Sequence, residues 1–89
     1  MLSNQERIEL MQKKLVAALQ PEQLEIIDDS ARHAGHAGAS TGLGHFIVNI
    51  SSQQFQGQPA LKRHRMVYQA LGSMFETDIH ALNINAEVP

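Results

Sequence analysis

The sequence predicts one small α/β domain of the α+β kind, residues 1–89, ordered α-β-β-α-β, with a three-stranded sheet covered on one face by helices. Three observations carry this expectation. Apolar residues recur at helical spacing in two segments, near 4–19 and 60–75. Three short stretches, 24–28, 45–51 and 79–86, are rich in β-branched residues or alternate in polarity. The chain has 89 residues, and a domain this short buries only roughly 60–65% of the surface its unfolded chain exposes. Its core must be thin, a few helices laid on one sheet.

Ser3 followed three residues later by Glu6 reads as a capping box. After it, Ile8, Met11, Leu15 and Leu19 form the apolar stripe of a helix over 4–19, ended by Pro21. Leu24 to Asp28 is a short strand. His45 to Ser51 is the second, with Phe46, Val48 and Ile50 alternating against Ile47 and Asn49. Residues 31–44 between them form a long loop with no apolar periodicity. It holds Gly35, Gly38, Gly42 and Gly44, four of the six glycines in the chain, and also His33 and His36. Connections much longer than a 2–5-residue hairpin turn are commonly functional or disordered, so the loop asks for an explanation.

Phe55 to Pro59 is a turn, and Pro59 suits the start of the next helix. From Ala60 to Phe75, Leu61, His64, Val67, Tyr68 and Leu71 form the expected inner stripe, with Gly72 weakening the last turn. Ile79 to Ala86 is the third strand. Period two puts His80, Leu82 and Ile84 on one face and Ile79, Ala81 and Asn83 on the other. The first two strands form a hairpin, and the third pairs with one of them after a helical crossover.

Hydrophobic residues make up 43% and charged residues 18%, a globular composition. The net charge of −2 with neutral histidine argues mildly against a general nucleic-acid binder, without excluding a local basic patch. There is no cysteine, hence no disulfide framework or thiol chemistry. The first residues lack the basic and apolar regions of a signal peptide. No apolar run nears the ~20 residues of a membrane span. A cytoplasmic location, with no membrane partner, is the expectation.

Five histidines are the strongest chemical signal. Histidine is the commonest metal ligand as neutral imidazole. His33 and His36 lie on the glycine-rich loop, His80 opens a strand, His64 lies on the second long helix and His45 begins the second strand. Each also has a plain structural reading, strongest for His45 and His64. A zinc site of its own would need three or four convergent ligands, and the spacing of His33 and His36 fixes no geometry. Iron–sulfur clusters are held chiefly by cysteine thiolates, although histidine can replace thiolate on one iron. A chain with histidine and no cysteine therefore suits one half of a shared site. Gly35-His36-Ala37-Gly38 matches a GxxG nucleic-acid loop, but between strands and not between helices. Arg32, Lys62, Arg63 and Arg65 could meet phosphates, with no aromatic platform beside them. No catalytic constellation stands out, and the expectation is a protein that is not an enzyme.

Taken together, Asp28-Asp29-Ser30, the histidine–glycine loop, His45-Phe46-Ile47-Val48, Phe55-x-Gly57, Leu61-x-Arg63-His64-Arg65-x-Val67-Tyr68 and Ile79-His80-Ala81-Leu82 resemble the BolA family over nearly the whole chain. The resemblance implies a fold like a class II KH domain. It also implies a partner, a monothiol glutaredoxin of the Cys-Gly-Phe-Ser type, with a two-iron two-sulfur cluster bridged between the proteins. Glutaredoxin and glutathione supply thiolates there, and the BolA-like chain supplies histidine; the free chain carries no cofactor. Carried onto this sequence, the ligands are His80 and one of His33 or His36, with His64 a structural residue or secondary metal candidate. The family is also linked to transcriptional regulation and to stress or cell-shape responses, for which Lys62, Arg63 and Arg65 are the nucleic-acid candidates. A homodimer of the free chain stays open.

Overall fold

The computed structural model describes residues 2–33 and 42–89. Among them, helix α1 spans Asn4–Leu19, strand β1 Gln23–Asp28, strand β2 Gly44–Ser51, helix α2 Ala60–Leu71, a short helix α3 Met74–Thr77, and strand β3 Ile79–Glu87. Single 3-10 turns follow β1 (Ser30–His33) and β2 (Gln53–Phe55). The sheet order is β1-β2-β3, antiparallel between β1 and β2 and parallel between β2 and β3. The expected α+β architecture is what the chain adopts, and the third strand pairs with β2.

The capping box forms: the Ser3 hydroxyl accepts from Glu6 N at 3.1 Å, and Ser3 N donates to the Glu6 carboxylate at 2.9 Å. The bond from Ser3 N, with the Ser3 hydroxyl adding to it, holds the Glu6 carboxyl below its ordinary value. The helix stops where Gln20 turns left-handed at φ 46° and its N–H reaches Val16 O, immediately before Pro21. At the same end the buried Ser52 hydroxyl donates to Leu19 O at 2.6 Å, tying α1 to the end of β2.

Met11, Leu15 and Leu19 of α1, Phe46, Val48 and Ile50 of β2, Phe55, Val67 and Leu71 of α2, Met74, Ile79 and Ile84 form the core. Alternate residues of β2 thus face the helices, and His45, Ile47 and Asn49 face the uncovered side. On that side Asn49 donates to Glu25 at 3.0 Å and Asn85 donates to Asn49 at 2.7 Å, a polar rung across all three strands. Gly44 is glycine because it faces the helices: a methyl there would collide with the Phe46 ring and lie 2.9 Å from Asn4 Oδ1.

Two expectations need correction. The second long helix ends at Leu71, where Gly72 takes φ 55°, and a separate turn of helix follows. Its inner stripe is Val67 and Leu71 with Met66 and Ala70 beside them, while Leu61 is 63% and Tyr68 43% exposed. Spacing alone could not choose between two adjacent apolar stripes; packing did, and the Tyr68 ring instead stacks on Phe75 at 4.5 Å. His80 likewise does not join the face of Leu82 and Ile84. Gly44 pairs with Ile79 but His45 pairs with Ala81, so His80 is the extra residue of a β-bulge. The buried Ile79 and Ile84, at odd and even positions, both reach the core only because the register slips by one between them.

Candidate functional site

The bulge decides what His80 can do. A residue without a cross-strand partner escapes the alternation of the strand and can be re-aimed. His80 is exposed, and its ring lies 5.0 Å from that of His45, tilted by 47°. His45 is only 6% exposed. Sequence reading gave His45 a structural role and missed the pair. The available signal was the apolar Ile79 at the wrong parity for a regular strand ending in Leu82 and Ile84.

Polar bonds fix the backbone around both rings. Asp29 N donates to His45 O at 2.8 Å, and His45 N donates to the Ser30 hydroxyl at 3.1 Å. Gly44 N donates to Asp78 O at 2.9 Å, just before the bulge. Asp28 caps the turn after β1 by accepting from Ser30 N at 2.9 Å, and Asn4 donates to both Asp28 and Ser30 at 3.1 Å. Burial would raise the Asp28 carboxyl, but bonds from Ser30 and Asn4 outweigh it and hold the group below its ordinary value. The ionised carboxyl's contribution to the turn is therefore fully present above the ordinary carboxylate pKa and is lost as pH falls through the lowered folded value. A carbon-13 titration should place the Asp28 midpoint below 3.8, with the Ser30 amide shift following it. A midpoint at or above 3.8 would contradict this bonding.

Of the expected ligands, His33 closes the 3-10 turn that Ser30 ties to His45, so its backbone belongs to the same end of the sheet. His36 lies outside the described residues. His64 is half-buried on α2, in the helical layer, across the sheet from the His45 side chain. Among the nucleic-acid candidates, Arg63 is engaged internally, donating to Gln58 O at 2.8 Å and Ala86 O at 3.2 Å; Lys62 and Arg65 are exposed. Among the described residues no three histidine, aspartate or glutamate side chains converge on a metal position. A shallow depression of about 470 Å³ on the open face, near Glu25, Asn49, Asn85 and Glu87, contains no histidine.

Fold and site define a small α+β domain, with an exposed imidazole set on a bulge against a second, buried one. The BolA-like protein family model matches residues 15–89, and the chain belongs to the BolA family. It is 42% identical over 86 residues to the chloroplastic protein BOLA1 of Arabidopsis thaliana, covering 93% of this chain and 54% of that protein. It is 43% identical over 77 residues to the DNA-binding transcriptional regulator BolA of Escherichia coli, covering 86% of this chain and 70% of the regulator. In structure it is similar to the BolA domain of SufE1 from Arabidopsis thaliana, with TM-score 0.82, 37% identity, and coverage of 100% of this chain and 96% of that one. The chain spans about half the length of BOLA1 and 23% of the SufE-like protein 1 of the same plant. The BolA family is not a known enzyme family. Among the described residues no helix is long and apolar enough to cross a membrane.

Proposed function

We propose that this chain is an adaptor that docks a monothiol glutaredoxin and lends histidine to a two-iron two-sulfur cluster shared with that protein and glutathione. The observation that carries the reading is the bulge at His80, which exposes an imidazole beside His45 at the end of the sheet where the loop histidines begin. The donor set suits half a site: imidazole is an accepted iron ligand in such clusters, and the sequence has no cysteine to supply the thiolates.

In this reading His80 presents neutral imidazole from a fixed strand edge, and His33 or His36 completes this chain's share. The bound cluster would supply one-electron and sulfur chemistry; the chain's own contribution is to orient imidazole and shield one side. Because ligation needs the neutral ring, acid weakens the complex as the imidazoles protonate. The test mixes the chain with cluster-loaded monothiol glutaredoxin and follows the visible spectrum. The wild-type chain should alter it, and His80→Ala should abolish the change. An unaltered wild-type mixture, or an identical change with His80→Ala, overturns the proposal.

A second reading, a nucleic-acid-binding regulator, is supported by the name of the Escherichia coli relative. The internal engagement of Arg63 and the net charge of −2 weigh against it here. It requires salt-sensitive oligonucleotide binding that falls when Lys62 and Arg65 are neutralised.

A further inference from the structure

We infer that the first turn of α1 is the device that sets the geometry of the histidine pair, with Arg7 and Asn4 as positioning residues. The Arg7 side chain is almost wholly buried, an unusual place for a guanidinium. Its Nε donates to Asp78 at 3.0 Å, and its Nη1 donates to Asn4 Oδ1 and to Gly42 O, each at 2.9 Å. Asp78 stands two residues before His80 and takes a further bond from the Thr77 hydroxyl at 2.8 Å. Asn4 passes the connection on to Asp28 and Ser30, and Ser30 accepts the amide of His45. One continuous polar path therefore runs from the residue ahead of the bulge, through α1, to the backbone of His45, and also holds the end of the loop at Gly42.

Stability alone is a poor reason for this arrangement. Desolvating two charges offsets much of their attraction, and a buried pair is often no better than apolar residues of the same size. Arg7 Nη2 is a buried donor with no acceptor among the described residues, a further cost. What the network does supply is a fixed relation between three segments that are distant in sequence, the role that outer hydrogen bonds play for metal-ligating histidines. The effect on cluster binding rests on the function proposed above; the effect on the ring pair does not.

Two variants test it in the full chain. Asn4→Ala cuts the path to Ser30 and leaves the ion pair intact. Arg7→Met combined with Asp78→Leu replaces the pair by apolar side chains, a change that need not lower Tm. The readouts are the proton cross-peak between the His45 and His80 rings in the free protein, the Tm, and the half-saturation point for cluster-loaded monothiol glutaredoxin. Both variants should fold, lose cross-peak intensity and bind about tenfold more weakly. Wild-type cross-peaks and half-saturation in both variants overturn the inference, whatever happens to Tm. If the wild-type chain itself gives no spectral change with glutaredoxin, the proposed function fails, and the cross-peak comparison still decides the positioning role.

Discussion

Arg7→Ala lowers the stability of this domain by about 3 kcal/mol, read as a fall in Tm on the order of 15 °C. The loss exceeds what the ion pair is worth, because the substitution does not remove the pair symmetrically. It leaves the Asp78 carboxylate, with side-chain exposure of 11%, facing a cavity where the guanidinium stood. It also releases Gly42 O and Asn4 Oδ1. Thr77 still donates to the carboxylate, which keeps the expected cost at the low end for breaking a buried pair. Exposed Lys13 on the same helix is the control; its alanine variant should stay within about 0.5 kcal/mol of wild type. A Tm loss for Arg7→Ala no greater than that of Lys13→Ala would mean that water replaces the guanidinium freely and that the network holds nothing in place.

Most of the scaffold was legible because its signals are local. The Ser3–Glu6 box and Pro21 bracket α1 at the expected residues, and the alternation in β2 gave the correct inward face. The helical crossover before the third strand was legible, but which of the first two strands it joins was left open, and the structure sets it parallel beside β2. What stayed hidden is non-local. Arg7 reads as one more polar residue of an amphipathic helix, since nothing near it announces Asp78, 71 positions away. The proximity of His45 to His80 depends on a one-residue slip in register, and period-two reasoning carries that error along the strand: it put Ile79 outside and His80 inside. Tyr68 and Leu61 fell on a plausible stripe that the sheet did not happen to cover. The candidate site was thus half legible: His80 was named as a candidate ligand, while its pairing with His45 and the residues that hold the two in place were not.

Deleting His80 should leave the fold standing and remove the proposed function. The ladder supports the first of these outcomes. Gly44 pairs with Ile79, and from His45 onward each residue of β2 pairs with one on β3 that is displaced by the single extra residue. Without it, Ile79 and Ala81 become neighbours and follow the regular alternation, Ile79 toward the core and Ala81 toward the open face, while Leu82, Ile84 and Ala86 keep their places. A bulge interrupts the ladder and leaves its extra residue unpaired, so the deletion variant should show wild-type far-ultraviolet circular dichroism and a Tm equal to or above that of wild type. In the same preparation the spectral change with cluster-loaded glutaredoxin should vanish, as it does for His80→Ala. The two variants differ in what they report. His80→Ala removes the imidazole and keeps the bulge, whereas the deletion removes both and asks whether the irregularity has any structural purpose. If the deleted chain unfolds, the bulge is needed to seat Asp78 and Ile79, and its conformation belongs to the core's requirements. If it folds as well as wild type, the disruption of an otherwise regular parallel pair has only one beneficiary, the histidine it turns toward solvent.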